Sequence, residues 1–372
     1  MDSYYQTNYQ SHNVNLPERT PAYPEQQTPK EPEVKVSHLA RRIHGWSWQA
    51  FPIGMGTGAV YVTLSGLKEH SQTLTNVETF FYFLNMALFL LNVSTLAIQM
   101  FVYPMQALRL VKDPVKGIFV PLVVLSFATI IIGTIKYAVP TGHVHPDFIY
   151  VLFWIYVSLA VGVCFPMLMV WFNRPHDLTT FTPAWAFLTG FLDGHQANGA
   201  FVAVGPPGFT ALALIKLGEN AVDILPAHGL VTKQAGEIWY AASVMSGLML
   251  FGLAVFLFLF GILPYWFKVH KHLSEILGCW ALTFPNVGWI STIRVLGDIF
   301  KLKGFFIWHL IMAIIMTTVW AVLFVLTVVA FCKGKIFLAK SEEVIKDSLE
   351  RKMSHAADSP RHSYNKEAHN HV

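Results

Sequence analysis

The sequence predicts an all-α polytopic membrane protein, on three observations. Of its 372 residues 54% are hydrophobic and only 13% charged, whereas a soluble domain needs a more charged surface. Eight uncharged apolar windows match, or come close to, the ~20 residues that cross a bilayer as a helix. Long plain windows alternate with shorter ones broken by Gly, Pro and small polar residues. The windows lie at about 46–66, 79–108, 117–135, 148–173, 194–215, 238–267, 276–293 and 305–332.

The distribution of Lys and Arg predicts the orientation. With the amino terminus inside, the inside loops and adjoining tails hold eleven of these residues and the outside loops hold four. Cytoplasmic loops carry the excess of basic residues, so both termini are expected in the cytosol. The four outside residues are Lys68, Lys233, Lys301 and Lys303.

Three regions follow from these windows. Residues 46–335 form the predicted transmembrane domain, and residues 1–45 and 336–372 are predicted to be disordered cytosolic tails. The first 45 residues are polar and Pro-rich without an apolar core. We therefore expect no cleavable signal peptide, and the spans themselves direct insertion.

The alternation of windows predicts an inner ring of helices within an outer ring. The four long windows are mostly Leu, Phe, Val, Ile and Met, as lipid-facing helices require. In the four shorter ones, glycine permits close helix approach, and proline frees carbonyls that a neighbour or ligand can satisfy. We expect such helices to line a pore. These Gly and Pro residues are Gly54, Gly56, Gly58, Pro121, Gly133, Gly205, Pro206, Pro207, Gly208, Pro285 and Gly288.

Three cations each close a shorter window: Lys136, Lys216 and Arg294. Ionisable groups near the hydrocarbon region tend to face a water-filled cavity, and a cationic cavity favours an anion. The alternative for each is a side chain that reaches up to the headgroups. Arg294 is the strongest candidate, since a planar guanidinium matches a carboxylate in two hydrogen bonds.

Other chemistry has little support. His143 and His145 alternate as metal ligands do, but two histidines alone seldom hold an ion, so we predict no metal site. Without a Walker A, Rossmann or GxSxG motif, we predict no enzyme, no cofactor and no nucleic-acid partner. Transport would use gradients, with Asp147, Glu219 and Asp298 either as proton acceptors or as ordinary interfacial acids.

The motifs GPPGFTALALIK at 205–216 and TFPNVGW at 283–289 resemble those of the fungal malic acid transport proteins. These proteins are members of the tellurite-resistance/dicarboxylate transporter family, which includes the plant slow anion channels. Further support comes from WSWQAFPIGMGTGAV at the first span, TPAW at 182–185 and GHQANGAFVAVGPPGF at 194–209.

The resemblance implies transport of malate and related C4-dicarboxylates with protons, in the plasma membrane. It also implies a homotrimer of independent pores in the lipid bilayer, each gated by the phenylalanine of the FP pair, here Phe284. Gly205, Pro206, Pro207, Gly208 and Pro285 would then supply backbone groups or flexibility to the passage. Without the resemblance, a buried Phe284 is more often a packing residue.

The chain departs from this family in one place. Members have ten spans in five hairpins, but here TPAW runs almost directly into GHQANGAF. The intervening apolar stretch at 183–191 is too short for one crossing, and two crossings with a turn need on the order of 50 residues. One hairpin is therefore predicted to be missing, which leaves eight spans and removes one of five inner helices.

Three explanations of this departure remain open. The remaining hairpins close a smaller ring, the chain does not conduct as other members do, or the sequence reflects a skipped exon. Two other functions are therefore weighed beside malate transport. One is a truncated, non-transporting membrane subunit, and the other is a transporter of sulfite or another inorganic anion on the same scaffold.

Overall fold

A computed structural model describes residues 36–113, 116–172, 197–268 and 276–358, and all regular secondary structure in these ranges is helical. The helices are α1 (His38–Gly45), α2 (Phe51–Leu64), α3 (Gln72–Val102), α4 (Pro104–Lys112), α5 (Leu122–Gly133), α6 (Pro146–Phe172), α7 (Ala197–Ala227), α8 (Lys233–Lys268), α9 (Ile276–Cys279), α10 (Phe284–Phe300), α11 (Lys303–Cys332) and α12 (Ser341–Asp358). A π-helical segment, Thr134–Ala138, extends α5.

Six of the helical stretches in the described residues are long and apolar enough to cross a membrane. The all-α polytopic class predicted from composition is therefore confirmed. The windows at 46–66 and 117–135 correspond to the short helices α2 and α5, of 14 and 12 residues. Both are short because a 3-10 turn precedes each one, at Trp48–Ala50 and Gly117–Phe119.

The two types of window differ in burial as predicted. In the windows of α7 and of Ile276–Phe300, 44% and 56% of residues are buried, against 0 to 28% in α3, α6, α8 and α11. The short helix α2 is the most enclosed, with 11 of its 14 residues buried. Large apolar side chains such as Phe83 and Met249 are exposed on the outer helices, where lipid would cover them.

The inner helices pack side by side in the order α5, α2, α10, α7. Close contacts at Gly58 with Thr129 and at Gly208 with Trp289 join neighbouring members. The helices are parallel, because contacts advance in the same direction along both partners, as between α2 and α10 at Gly56 with Thr283 and then at Gly66 with Arg294.

The two ends of this series, α5 and α7, do not pack extensively on each other within the described residues. These are also the inner helices that flank the predicted missing hairpin in the chain. The junction itself, at 183–193, lies outside the described residues. The structure therefore shows no closed ring of four inner helices in the part of the chain that it describes.

Helix α3 corrects the prediction that the window at 79–108 is a plain span. The helix begins at Gln72 and ends at Val102, and Pro104 starts the separate helix α4. A charge-free window misses the first turns because they contain Glu78, which is buried. Polar residues seven apart form one buried face of α3, which we call the α3 polar stripe: Glu78, Asn85, Asn92 and Gln99.

The α3 polar stripe binds groups of the inner helices and of the amino-terminal segment. Asn85 Nδ2 donates to Thr129 Oγ1 at 2.8 Å, and Asn92 Nδ2 donates to the carbonyl of Ala50 at 3.2 Å. Gln99 Nε2 lies 2.8 to 3.0 Å from the carbonyls of residues 43, 44 and 46. These amides satisfy backbone groups that lipid could not.

The prediction of disordered tails is wrong for residues 38–45 and 341–358, which form α1 and α12. His44 Nε2 lies 2.8 Å from Asp347 Oδ2, and Arg109 of α4 donates to Asp347 Oδ1 at 2.7 Å. The buried Asp347 carboxylate thus joins three segments distant in sequence, which composition alone does not reveal. The rest of both tails lies outside the described residues.

Replacement of Asp347 by asparagine is expected to loosen α12, because the charged acceptor shared by His44 and Arg109 is lost. A hydrogen bond to a charged group contributes roughly 1.5 kcal/mol, so cleavage within α12 should accelerate about tenfold. Limited trypsin digestion of the detergent-purified protein measures this. Glu350→Gln is the matched control, since Glu350 also contacts Arg109 but is one-third exposed. Equal digestion of Asp347→Asn and the unmodified protein would contradict the expectation.

Candidate anion site beside the Ser65–Gly66 turn

Two of the three predicted substrate-binding cations meet at the turn that follows α2. Lys136 Nζ donates to Ser65 Oγ, and Arg294 Nε donates to the carbonyl of Gly66 at 2.8 Å. Lys136 reaches this turn from the π-helical segment, a type of irregularity that often occurs at functional sites. We call this end of the inner helices the Ser65 end.

Arg294 makes two further contacts at the Ser65 end. Its guanidinium forms an ion pair with Asp298, one turn further along α10, and lies 4.8 Å from the centre of the Phe306 ring. Lys68 Nζ lies 4.5 Å from the centre of the same ring. Three cations therefore surround the turn, although Asp298 occupies part of the guanidinium edge that an incoming carboxylate would use.

Lys216 differs from the other two cations. Its Nζ lies 2.7 Å from Glu219 Oε2 on its own helix, α7, and both side chains are about half exposed. An exposed ion pair of this kind is worth little energetically. No contact of Lys216 joins it to the Ser65–Gly66 turn in the described residues.

The predicted gate residue, Phe284, is the first residue of α10 and is partly buried. Its ring stacks on Phe209 of α7, with ring centres 5.1 Å apart and planes inclined by 28°. Pro285 follows in the first helical turn, where a missing N–H has no helical partner to lose. Sequence reasoning missed Phe209, whose only signal is its position directly after Gly205–Gly208.

The glycines near Phe209 hold α7 against α10. A Cβ atom at Gly208 would lie 2.7 Å from the backbone nitrogen of Trp289, and one at Gly288 would lie 2.4 Å from that of Phe209. Helix α7 continues through Pro206 and Pro207, so these prolines break the apolar window without interrupting the helix. Gly208 and Gly288 thus pack backbone against backbone. A Cβ atom at Gly205, by contrast, would lie at an ordinary contact distance of 3.5 Å from Pro285.

Several functional groups at the Ser65 end were missed by sequence reasoning. Glu78 of the α3 polar stripe is 1% exposed, and its Oε2 lies 3.1 Å from both His70 Nε2 and Tyr137 Oη. His309 of α11 is buried beside Gly66, and its Nε2 has no hydrogen-bond partner in the part of the chain that the structure describes. The seven-residue spacing of the stripe was the available signal for Glu78, since it marks one face of a helix.

Two cavities lie elsewhere in the described residues. One, of about 250 Å³, lies beside α1 and is lined by polar residues including His44, Lys116 and Lys335. The other, of about 150 Å³, lies between α7, α8, α10 and α11 and is mostly apolar. Neither of these two is lined by Lys136, Lys216, Phe284 or Arg294.

Comparison with known proteins finds a matching family model and several relatives. The family model described as SLAC1, voltage-dependent anion channel, matches residues 45–190 and 186–328. The malic acid transport protein of Schizosaccharomyces pombe is 23% identical over an alignment of 358 positions that covers 80% of this chain and 82% of the relative. The sulfite efflux pump SSU1 of Arthroderma benhamiae is 22% identical over an alignment of 354 positions that covers 79% of this chain and 92% of the relative. No solved structure matches the chain.

The alignment lengths support the missing hairpin. The alignment with the Schizosaccharomyces protein has 358 positions, but 80% of 372 residues is only about 298, so about 60 positions lack a residue from this chain. The two stretches matched by the family model also meet at 186–190, within the predicted short junction. A shortfall of this size agrees with one hairpin of on the order of 50 residues.

Proposed function

Since the chain belongs to the SLAC1 family of voltage-dependent anion channels, we propose that it transports malate and related C4-dicarboxylates together with protons. It is a multi-pass membrane protein of a family of transporters and channels, not of enzymes. The curated relatives include proteins named for malic acid transport and for sulfite efflux, so anion transport is common to both.

The convergence of Lys136 and Arg294 on one turn carries this proposal. A C4-dicarboxylate has two carboxylates separated by a short carbon chain, and two cations on either side of a turn can each hold one. Arg294 supplies planar hydrogen bonding and Lys136 a compact charge. In this proposal Lys216, which lies on α7, attracts the anion electrostatically but does not belong to the pair of cations at the Ser65–Gly66 turn.

The proposed gate is Phe284, held closed by its stack on Phe209. An anion passing along α7 and α10 would meet this ring pair where Gly208 and Gly288 bring the two helices together. Gly205, Pro206, Pro207, Gly208 and Pro285 then shape the passage through their backbones. We propose a homotrimer in the plasma membrane, with each subunit holding its own passage.

The proposed orientation places both termini in the cytosol. The contacts among α1, α4 and α12 support it, because all three belong to segments assigned to the inside by the Lys and Arg bias. On this orientation the Ser65 end faces outward. Accessibility of single cysteines introduced beside α12 and at Lys68 to an impermeant maleimide reagent, in intact cells, tests both assignments.

The test of the proposed function is uptake of radiolabelled malate by proteoliposomes that contain the purified full chain. We expect uptake that an inward proton gradient accelerates and that unlabelled C4-dicarboxylates inhibit. Sulfite transport on the same scaffold is the alternative outcome, and stronger competition by sulfite than by malate would favour it. Absence of uptake of either anion would overturn the proposal.

The second candidate is a non-transporting subunit, favoured by the lack of extensive packing between α5 and α7 in the described residues and by the alignment shortfall of about 60 positions. Such a chain would assemble with ten-span relatives. Co-purification with a ten-span partner, together with absent uptake alone, would establish it. Sequencing the transcript across Thr180–His195 separates a true eight-span protein from a skipped exon.

Replacement of Arg294 by alanine is expected to weaken malate uptake far more than replacement of Lys303. Loss of a hydrogen bond between charged groups removes roughly 1.5 to 3 kcal/mol, which corresponds to about a tenfold to hundredfold lower uptake at limiting substrate. Lys303, an exposed cation at the start of α11, is the matched control. Equal effects of the two substitutions in proteoliposomes would remove Arg294 from the site.

A further inference from the structure

Glu78 is a buried acid inside a helix that crosses the membrane, and neither the gate nor the cation pair accounts for it. Its carboxyl group is 1% exposed, and only one of its oxygens is hydrogen-bonded. The other oxygen, Oε1, is buried and has no hydrogen-bond partner among the described residues. When the carboxylate is ionised, only one of its two oxygens therefore has hydrogen bonds that stabilise the negative charge. Protonation removes this buried charge.

The other members of the α3 polar stripe show that a structural role does not require an acid. Asn85, Asn92 and Gln99 are amides, and each satisfies groups of neighbouring segments. Glu78 is the only Asp or Glu within Gln72–Val102, and it lies at the end of the stripe nearest to the cation site. Helix α3 thus places its one carboxyl group against Tyr137, the neighbour of Lys136 in the chain, so that a change of its charge reaches Lys136.

A route for protons leads from solution to this acid. His70, in the turn before α3, has a side chain that is 35% exposed, and its Nε2 lies 3.1 Å from Glu78 Oε2. Tyr137 Oη donates to the same oxygen at 3.1 Å. Glu78 therefore lies between a solvent-exposed imidazole and the segment that carries Lys136.

The titratable and charged groups around Glu78 come from three elements. His70 precedes α3, Lys136 and Tyr137 belong to the π-helical segment, and Tyr61 of α2 packs on the Tyr137 ring with centres 5.8 Å apart. Lys136 is the only Lys or Arg among these four residues and interacts electrostatically with Glu78. When Glu78 is ionised it competes with an anion for this charge, and when it is protonated it does not.

We propose that Glu78 takes up a proton from solution through His70 and that this protonation is linked to anion binding at Lys136. The inference rests on the proposed function, since it names the residue that couples protons to the anion. Binding should strengthen as the pH on the Ser65 side falls. The proton stays on Glu78 while the anion occupies Lys136, so a proton and an anion are held together.

The first experiment measures malate uptake against pH for the unmodified chain and for Glu78→Gln in proteoliposomes. Above the pH at which Glu78 loses its proton, the unmodified chain is expected to bind malate up to tenfold more weakly for each further pH unit. This slope is the one that a single proton linked to binding requires. Glu78→Gln should bind malate with the affinity that the unmodified chain has when Glu78 is protonated. Comparing the two proteins at each pH cancels the titration of malate itself. Glu237→Gln, at an exposed acid of α8, should behave as the unmodified chain.

A second variant keeps the proposal testable if Glu78→Gln does not fold. Tyr137→Phe retains the acid but removes a donor that favours its ionised form, so the transition should move to higher pH. A merely structural role would lower uptake equally at all pH values. Retention of the full pH dependence by Glu78→Gln, or an unmoved transition in Tyr137→Phe, overturns the inference.

The infrared spectrum separates failure of this inference from failure of the proposed function. The carboxylic acid C=O stretch of Glu78 should appear as the pH falls, shift on addition of malate, and be absent from Glu78→Gln. This readout requires no transport. If the band titrates but does not shift on addition of malate, and the chain shows no uptake, both proposals are rejected. If uptake is normal but the band is absent, only the role of Glu78 is rejected.

Discussion

Replacement of Phe284 by alanine is expected to raise the anion current roughly tenfold to a hundredfold at equal surface expression. Burial of a phenylalanine ring contributes about 1.5 to 3 kcal/mol, and a barrier lowered by that amount changes a rate by this factor. The stack on Phe209 holds the ring in one position, so its removal opens the space between α7 and α10. Current recorded from a planar bilayer or an oocyte measures the effect.

Two other phenylalanines serve as comparisons for Phe284. Phe209→Ala removes the partner but leaves the Phe284 ring, so we expect a smaller rise in current. Phe80→Ala changes a ring on α3 that is 62% exposed and should leave the current unchanged. An unchanged current in Phe284→Ala would show that this ring packs the helices without gating them.

Replacement of Gly288 by valine is expected to prevent close packing of α10 on α7 and to destabilise the whole domain. A Cβ atom at this position would lie 2.4 Å from the backbone nitrogen of Phe209, and a backbone atom cannot rotate away as a side chain can. Overpacking of this kind costs about 3 kcal/mol, which lowers the melting temperature by roughly 5 °C. Thermal unfolding in detergent, followed by Trp fluorescence, measures the change.

The control for Gly288→Val is the same substitution at Gly252 of α8, where the added Cβ would meet no heavy atom of the described residues within 4 Å apart from its own helix backbone and its chain neighbours. Gly252→Val should melt near the temperature of the unmodified protein. A Gly208→Val substitution should resemble Gly288→Val, because Gly208 contacts the backbone of Trp289 from the opposite helix. Equal melting temperatures at positions 252 and 288 would contradict close packing at this crossing.

Much of the fold followed from local sequence features. The apolar windows identified the membrane helices because length and the absence of charge are properties of a single segment. Gly and Pro separated the inner helices from the outer ones because close approach needs small residues wherever two helices meet. The predictions failed where a polar residue inside a helix had a partner elsewhere, as Glu78 does with Tyr137 and Asp347 with Arg109.

For the candidate site, sequence position placed cations at the ends of inner helices but did not show which of them meet. Lys136 reaches Ser65 across 71 residues and Arg294 reaches Gly66 across 228, while Lys216 pairs with Glu219 only three residues away. The stack of Phe209 on Phe284 likewise joins two separate helices. Phe209 carries no local signal for this contact.

The amino-acid sequence alone determined that this is a helical membrane protein with alternating inner and outer spans and a shortened middle. These properties depend on residues close together in the chain, through the cost of charge in lipid and the length of a crossing. Only the tertiary structure decided that Lys136 and Arg294 share one turn, that Glu78 is hydrogen-bonded to Tyr137 beside Lys136 in the chain, and that α1 docks on α12. Those outcomes depend on contacts between segments far apart in the chain, which form only when the helices pack.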